Sequence, residues 1–472
     1  MVNFMSGNSR IKLSSIILGI GMVCILDGLV IMFNASEKYW GIFLLPISFA
    51  VCSFFFNRVY QVIKHSLSSL ILISMMFLKN VIVPLFMALG DGKFPARVDT
   101  SKYMLGAIGL EIYEEIAVFG VIWLLSKKII CSAGNFQCRK LEFNKNYLKM
   151  FNIITLIFSL STVVLIFRYP LLIQYFSLGI SGNEQQNIQK NIIQNQMIKS
   201  VPSMVYYLFT ILANFVRWAI PLCIMFKCYI SKKGNDFSKT LVSLIVILLA
   251  AYVTNDTIAV SFFIVISMGY VLIKLFPVQK KILIICGVIG IGIVGTLSLI
   301  TKAYGSAGGG IDFQKIANML QAYFSGPDNV AVALSIKESF SLDEFIGNIL
   351  RFIPYIMHYF LDYTTSTVIF NNQYWGNSGL TNQIIPMISQ GERTFSFILA
   401  PIFTIIISAI AINVEISALK KNDLFDYAIY IIWGICFAMA VGMYSASLCI
   451  QLFLNYIFML MVIKWISKKF KI

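Results

Sequence analysis

The sequence contains little charge and almost no histidine. Only 12% of the 472 residues are charged and two are histidines, whereas 58% are hydrophobic. The mean hydropathy is +0.81. A water-soluble core of this size cannot bury so much apolar surface. The low charge therefore excludes an ordinary soluble domain and predicts an integral membrane protein.

Several functional patterns are also missing. The nine cysteines show no CxxC spacing, so we expect neither a disulfide framework nor a metal site. There is no GxxxxGK[ST] phosphate loop, and the one GxGxxG match, Gly290 to Gly295, lies inside an apolar run. The net charge of +16 is not concentrated in a basic soluble domain. We therefore expect no cofactor, no nucleotide-driven chemistry and no nucleic-acid partner.

Apolar runs that are long enough to cross a bilayer recur along the chain. A spanning helix needs about 20 predominantly apolar residues. Helices are expected because their backbone groups are hydrogen-bonded internally. We predict an all-α protein with about twelve spans in one polytopic domain covering residues 1–472. The predicted spans are Ser14–Phe33, Tyr39–Phe56, Leu67–Leu89, Tyr103–Leu125, Met150–Phe167, Val201–Phe226, Leu241–Val253, Val260–Phe276, Ile282–Ile300, Ser396–Asn413, Tyr427–Met443 and Leu448–Trp465.

The positions of lysine and arginine indicate the orientation. Starting at the N-terminus, every second loop is rich in these residues, as cytoplasmic loops usually are. Both termini are therefore predicted to be cytoplasmic. One predicted outer loop, Gly90 to Lys102, departs from the bias, since it contains Lys93, Arg97 and Lys102, partly offset by Asp91 and Asp99.

Two predicted outer loops are much longer than the others, and they cover residues 168–200 and 301–395. Loops of this length are usually functional or disordered. The second is too aromatic for disorder, so we expect short helices that pack against the membrane face. Any active site is therefore predicted to face outward.

The second long loop contains the run "RFIPYIMHYFLDY", from Arg351 to Tyr363. In a helix, Arg351, Tyr355, His358 and Asp362 line one polar strip. Asp362 would orient His358 and raise its basicity, and Arg351 would match phosphate oxygens. This pattern favours a general base beside a phosphate clamp. The alternative is an interfacial helix, kinked at Pro354, whose polar groups reach headgroups.

Charged residues also lie inside the predicted spans, where each costs about 3 kcal/mol unless it is paired or solvated. They are Asp27, Lys79, Glu111, Glu114, Glu115 and Arg217. The three glutamates have helical neighbour spacing, which suits an alternative base in a water-filled cleft. Structural pairing, for example between Arg217 and a glutamate, is the other interpretation.

Three stretches of the last third of the chain carry a family resemblance. They are "YFSGPDNVAVAL" (323–334), "IFNNQYWG" (369–376) and "NQIIPMISQGERTFSFILAPIF" (382–403). Together with the topology, they resemble the Wzy-type bacterial polysaccharide repeat-unit polymerases. Arg168 followed by Gly179 also resembles an arginine and glycine spacing in outer loops of O-antigen polymerases. The second long loop lacks this spacing at Arg351 and Arg393.

The resemblance implies a membrane glycosyltransferase with a GT-C-like organisation in the bacterial cytoplasmic membrane. Its substrate would be a polyprenyl-pyrophosphate-linked oligosaccharide at the outer face of the bilayer. Candidate partners are a chain-length regulator and a flippase. His358 and Asp362 are then candidate catalytic residues, and Arg168, Arg217 and Arg351 are candidate ligands of the pyrophosphate. Lys79 and the three glutamates are secondary candidates.

Two other functions are compatible with the same sequence features. A flippase for the lipid-linked oligosaccharide would also contain intramembrane charges, although transporters tend to have related halves and short loops. A ligase that moves finished glycan to another acceptor would use nearly the same chemistry. The long second loop favours the polymerase over the flippase, and it does not separate polymerase from ligase.

Overall fold

The computed structural model describes residues 7–90, 94–136, 142, 145–176, 196, 200–231, 234–252, 258–287, 312–350, 365–376 and 383–469. The chain folds as two compact units, each made of separate segments. The first unit comprises Met1–Cys138, Gly308–Lys420 and Phe437–Ile450, and the second comprises Arg139–Ala307, Lys421–Cys436 and Gln451–Ile472. Across the described ranges the secondary structure is helical, apart from an isolated bridge between Glu142 and Asp423. The predicted all-α class is confirmed for these residues.

The longer helices are α1 (Gly7–Asn34), α2 (Leu44–Phe55), α3 (Leu67–Phe77), α4 (Val83–Leu89), α5 (Met104–Phe136), α6 (Lys145–Arg168), α7 (Ser203–Ile230), α8 (Asp236–Tyr252), α9 (Ile258–Leu275), α10 (Phe313–Phe324), α11 (Pro327–Leu334), α12 (Leu342–Leu350), α13 (Ser366–Trp375), α14 (Met387–Phe395), α15 (Ile402–Leu419), α16 (Leu424–Met443), α17 (Ala446–Leu452) and α18 (Met459–Lys469). A four-residue helix covers Val59–Val62, and short 3₁₀ turns cover Glu37–Tyr39, Thr100–Tyr103, Pro170–Tyr175, Pro277–Gln279 and Phe397–Leu399. Two π-helical turns, Leu78–Ile82 and Phe453–Phe458, interrupt longer helices.

The chain is a multi-pass membrane protein. Within the described residues, nine helices are long and apolar enough to cross a bilayer, or up to ten if a bent pair is one span. All nine overlap predicted spans. The predicted span at 241–253 corresponds to α8, which has 17 residues. The bent pair, Val260–Leu275 and Pro277–Gly287 at 117°, overlaps the predicted spans at 260–276 and 282–300, and residues 288–300 lie outside the described ranges.

Helix α5 is the centre of the first unit and contacts α2, α3, α11, α14 and α15. Phe49 of α2 packs edge-on against Phe77 and Phe119, with ring centroids 5.4 Å apart in both pairs. Such edge-to-face pairs are favourable aromatic contacts in a buried core. By contrast, Phe33 and Phe55 are about four-fifths exposed, at 80% and 79%. Apolar side chains on the outside are expected where lipid replaces water as the solvent.

Five short helices, α10 to α14, belong to the first unit and come from the second long loop. Helix α10 packs on α4, and α11 packs on α5 and on the Thr100–Tyr103 turn. Helices α13 and α14 pack in turn on α11, and α14 also contacts α15. These helices therefore form a packed layer, called the loop layer below, on the spans of their own unit.

The second unit is a sequential helical bundle. Helix α6 contacts α7 and α18, α7 contacts α8, and α8 contacts α9. The start of the first long loop folds back on this bundle, because Leu172 and Tyr175 pack with Tyr206 and Phe209 of α7. The Tyr175 hydroxyl also donates to Asn214 Oδ1 at 2.9 Å.

Candidate functional site

The three stretches that carry the family resemblance, 323–334, 369–376 and 382–403, lie close together in the first unit. Helix α11 contacts both α13 and α14, which follow it by 31 and 52 residues. One buried cluster at α11 contains Val332, Ala333, Ile336, Phe340, Phe370, Tyr374 and Ile385. A second contains Ala107, Leu110, Val330, Ala331, Ile388 and Ala400. The three stretches therefore share a continuous hydrophobic core.

A tight turn sets the start of α11. Ser325 has a left-handed backbone, with φ of +51°, and ends α10. A Cβ on Gly326 would lie 2.8 Å from a methyl group of Val83 and 2.9 Å from Cγ of Gln321. Glycine is therefore required for this close approach, and Pro327 then suits the first turn of the helix.

Asp328, in that first turn, is fully buried and extensively hydrogen-bonded. Its Oδ2 accepts from the Tyr39 hydroxyl at 2.6 Å and from Gln321 Nε2 at 3.1 Å. Its Oδ1 accepts from the Thr100 hydroxyl at 2.5 Å, and Lys38 Nζ lies 3.5 Å away. These donors and the helix N-terminus compensate the cost of burying a charge. Asp328 therefore ties α10, α11 and two turns at span ends into one network.

Gln390 of α14 performs a similar function at another helix start. Its Oε1 accepts from the backbone N–H groups of Ala446 and Ser447, at 2.8 and 3.4 Å. Its Nε2 lies 3.2 Å from Oγ of Ser447 and 3.4 Å from Oγ of Ser366. The amide thus caps α17 and joins it to α13 and α14.

The loop at 90–102 contributes a basic residue to this layer. The Arg97 N–H donates to the Tyr374 carbonyl at 2.9 Å. Its exposed guanidinium lies against Gly376, where an added Cβ would be 2.8 Å from Nη1 and where φ is +70°. Burial and the nearby Asp328 carboxylate raise the pKa of Tyr374. Arg97, which departs from the charge bias of outer loops, therefore lies on the loop layer.

A second polar cluster, called the span cluster below, lies among the helices of the same unit. Lys79 Nζ is 2.6 Å from Glu114 Oε2 and 3.7 Å from Glu111 Oε1. The Thr404 hydroxyl donates to Glu114 Oε1 at 2.7 Å. Lys79 is only 2% exposed and lies on the π-helical turn after α3, a feature frequent at functional sites. The described contacts thus pair Glu114 and Glu111 with Lys79.

The three glutamates of α5 differ in their hydrogen bonding. Glu115 Oε2 accepts from Asn80 Nδ2 at 2.5 Å and from the Ser48 hydroxyl at 3.0 Å. Glu111 is 1% exposed, and neither of its carboxyl oxygens is hydrogen-bonded to a described residue. Unsatisfied buried polar groups are uncommon and point to a function or to a change in protonation.

Glu415 of α15 is a further buried carboxylate, and it is fully bonded. It accepts from the Ser66 hydroxyl at 2.7 Å and from the N–H groups of Leu67 and Ser68 at 2.7 and 2.9 Å. These donors belong to the first turn of α3 and the residue before it. Glu415 is therefore an N-terminal cap of α3, supplied by another helix.

Two of the predicted pyrophosphate ligands lie in the second unit. Arg217 Nε donates to the Ala250 carbonyl at 2.7 Å, and Nη2 lies 3.4 Å from the Ala251 carbonyl. These carbonyls belong to the last turn of α8, where cations are stabilising. Arg168 ends α6 and is exposed, with its guanidinium carbon 5.9 Å from the centre of the Tyr169 ring. Arg217 thus contacts the end of α8, Arg168 is exposed, and a role of either residue in binding pyrophosphate stays a prediction.

The remaining predicted site residues lie outside the described ranges. These are Arg351, Tyr355, His358 and Asp362, together with Gly179. Among the described His, Cys, Asp and Glu side chains, no group of three is arranged to hold a metal ion. The site that the structure describes therefore consists of the loop layer and the span cluster.

Sequence reasoning did not select Asp328, Gln390 or Glu415. A signal for Asp328 was present, because "SGPDN" places a Gly-Pro pair at a helix start and an acid in the first turn. The long-range partners of Gln390 and Glu415 leave no comparable local pattern.

Comparisons with protein-family models, with curated proteins and with solved structures found no match to this chain. A function is therefore inferred from its own residues and their geometry.

Proposed function

We propose that the chain is a polysaccharide repeat-unit polymerase of the bacterial cytoplasmic membrane. It would transfer a growing glycan from polyprenyl pyrophosphate onto the next lipid-linked oligosaccharide unit. In this proposal the chain crosses the membrane about twelve times, with both termini inside. The two long loops would then lie outside the membrane, in a GT-C-like arrangement.

One observation carries the proposal: the three stretches that resemble Wzy-type polymerases pack together. They could have been scattered matches, yet α11 shares one buried cluster with α13 and another with α14. Gln373 of α13 also donates to the Ser335 hydroxyl, directly after α11, at 2.9 Å. The buried Asp328 and the tight turn at Gly326 lie within the first stretch. A site that positions a substrate needs packed residues around it to hold its geometry, and the three stretches would supply such a support.

The proposed chemistry needs positive charge and a base. The bond between the anomeric carbon of the growing glycan and the pyrophosphate breaks, and polyprenyl pyrophosphate leaves with the bonding electrons. An acceptor hydroxyl of the next unit forms the new glycosidic bond and gives its proton to His358, which Asp362 orients. Arg168 and Arg351 stabilise the charge on the leaving group, as fixed cations do for a phosphate. Arg97 is an additional candidate because it is an exposed cation on the loop layer.

The decisive experiment supplies purified protein with synthetic polyprenyl-pyrophosphate-linked repeat units and separates the products by length. A ladder of longer lipid-linked glycans is the expected result. Unchanged substrate that crosses the bilayer of a liposome would indicate a flippase instead. Glycan transferred only to an added non-lipid acceptor would indicate a ligase, and either outcome would overturn the proposal.

The chain supplies a matched control for the base, because it has only two histidines. His358→Ala should slow elongation by about two to four orders of magnitude, the usual effect of losing a positioned base. His65→Ala removes an exposed histidine and should leave the rate unchanged. Equal rates for both variants would show that His358 is not the base.

The orientation can be tested separately with single cysteines in a background that lacks the native ones. Asn372 of α13 and Lys127 of α5 are both exposed in the structure. An impermeant maleimide should label Asn372→Cys in intact cells and Lys127→Cys only after permeabilisation. The opposite pattern would place the loop layer in the cytoplasm and contradict an outward-facing site.

A further inference from the structure

We propose that Glu111 is a proton-binding site inside the membrane, coupled to the ion pair between Lys79 and Glu114. This inference rests on the span cluster alone and does not depend on the polymerase activity. The ligand is a proton, held on a carboxyl group of α5 within a candidate span, Thr100–Gly134.

The first argument is the surroundings of the Glu111 carboxyl group. It is 99% buried, since only 1% of the residue is exposed, and both oxygens are without a hydrogen bond among the described residues. Lys79 Nζ, at 3.7 Å from Oε1, is beyond hydrogen-bond distance. An ionised carboxylate in such a place loses its hydration, and the Lys79 ammonium, which is hydrogen-bonded to Glu114, compensates only part of that cost. The neutral acid avoids most of that cost.

The second argument is the balance of charge in the span cluster. One ammonium group, Lys79, faces the carboxyl groups of Glu111, Glu114 and Glu115. Glu114 is hydrogen-bonded to Lys79 and Thr404. Glu115 accepts from Asn80 and Ser48, and the Cys52 thiol is a further neutral donor. Excess negative charge inside a bilayer is costly, and Glu111 is the member of the cluster whose nearest cation, Lys79 at 3.7 Å, is already hydrogen-bonded to another carboxylate.

The third argument is that Lys79 can serve two partners. A shift of about 1 Å would bring its ammonium from hydrogen-bond distance of Glu114 to that of Glu111. In the structure, Lys79 pairs with Glu114, and under this proposal the proton is then on Glu111. With Lys79 turned to Glu111, the proton would instead be on Glu114. The π-helical turn that carries Lys79 is a local irregularity of the kind that re-aims a side chain.

The other titratable groups around this cluster belong to neighbouring helices. On α1, Cys24 lies near the carboxyl groups of Asp27 and Glu115. On α2, Cys52 also lies near Glu115. Asp27 is largely buried, and its Oδ2 is without a hydrogen bond to a described residue. These groups extend the polar region around Glu115. The proposed movement of the Lys79 ammonium between two partners involves only Glu111 and Glu114.

Labelling with dicyclohexylcarbodiimide tests the proposal, because this apolar reagent reacts with neutral carboxyl groups. The full-length protein in liposomes is treated, and the modified residue is located by mass spectrometry. Label is expected on Glu111, and it should decrease as the pH is raised, because the neutral form is lost. Glu415, which accepts three hydrogen bonds, is an internal control in the same sample and should remain unlabelled.

Two variants separate proton binding from simple burial. Glu111→Gln should lose the label. Glu114→Gln leaves Glu111 as the carboxylate nearest to Lys79, so Glu111 should ionise and most of its label should disappear. Full labelling of Glu111 in Glu114→Gln would contradict the coupling to Lys79. Suppression of the label by sodium chloride but not by choline chloride would assign the site to a metal cation and overturn the proposal.

Infrared difference spectroscopy gives a measurement that does not depend on access of the reagent. The spectrum of the unmodified protein minus that of Glu111→Gln should contain the carbonyl band of a neutral carboxylic acid at neutral pH. If neither this band nor the label depends on Glu111, the residue holds no proton and the inference is wrong.

Discussion

Two buried acids of the first unit, Asp328 and Glu111, are almost equally inaccessible, at 0% and 1% exposure. Each has a lysine ammonium nearby, at 3.5 and 3.7 Å, but their hydrogen bonding differs. Asp328 accepts from three side chains, whereas neither oxygen of Glu111 is hydrogen-bonded to a described residue. Burial alone therefore does not distinguish a structural acid from a functional one. The state of their hydrogen bonds does.

The difference follows from where each acid lies on its helix. Asp328 is in the first turn of α11, where backbone N–H groups are free and the helix dipole favours negative charge. Glu111 is in the interior of α5, where the helix uses its own backbone donors. Its carboxyl group can be satisfied only by side chains from neighbouring helices. A buried acid inside a span destabilises the protein unless it is paired or neutral. Its presence at position 111 therefore favours a functional role.

The largest effect on stability is expected from Lys79→Met. Glu114 then has no cation, and breaking a buried pair by removing one partner costs about 3 kcal/mol or more in the free energy of unfolding. Denaturant unfolding of the detergent-solubilised protein measures the loss.

The matching control is the double variant Lys79→Met/Glu114→Gln. It removes the charge of both partners and should recover most of the lost stability. If the double variant is as unstable as Lys79→Met, the loss comes from packing around Lys79 and not from the unpaired carboxylate.

Asp328→Asn should have the next largest effect. The amide keeps one acceptor oxygen, but its NH₂ group replaces either the oxygen that accepts from Thr100 or the oxygen that accepts from Tyr39 and Gln321. Loss of hydrogen bonds to a buried charge costs about 2 to 3 kcal/mol. Thermal unfolding should show the decrease, and proteolysis should show faster cleavage within α10 and α11. An unchanged midpoint would mean that the network contributes little to holding the loop layer.

Glu415→Gln should destabilise the protein less, by about 1 to 2 kcal/mol, because one of three donors to the cap loses its acceptor. The effect should be local to α3, whose first turn contains these donors. Hydrogen exchange of Leu67 and Ser68 measures it directly. Unchanged exchange at both amides would show that Glu415 does not cap α3.

The sequence predicted the spans better than the contacts between them. Apolar runs of bilayer length are a local signal, so the nine candidate helices all overlap predicted spans. The bend between Leu275 and Pro277 turns the chain by 117°, and the run at 260–276 does not reveal it. Hydropathy reports how apolar a segment is, and it does not report the direction in which the helix continues.

The polar sites show the same division between local and long-range information. The spacing of Glu111, Glu114 and Glu115 correctly places the three on neighbouring positions of one helix. The cation that the structure places beside Glu114 is Lys79, 35 residues earlier in the chain. The sequence interpretation had instead named Arg217 as a possible partner, and no local pattern supported that choice. Glu415 and Ser66 are 349 residues apart. Such pairs depend on how the helices pack, which one sequence does not specify by pattern alone.

Glu111→Gln should have the smallest effect on stability, and it sharpens the comparison with Asp328 most. A glutamine has nearly the shape of a neutral glutamic acid, so the substitution costs little if Glu111 already carries a proton. Replacement of a hydrogen-bonded carboxylate, as in Asp328→Asn, removes interactions that stabilise the charge. We therefore expect the free energy of unfolding of Glu111→Gln to stay within about 0.5 kcal/mol of the unmodified protein, the range of substitutions that break no named interaction. A loss as large as that of Asp328→Asn, measured under the same conditions, would mean that Glu111 is ionised and bonded to Lys79, and that the two acids differ less than their hydrogen bonds suggest.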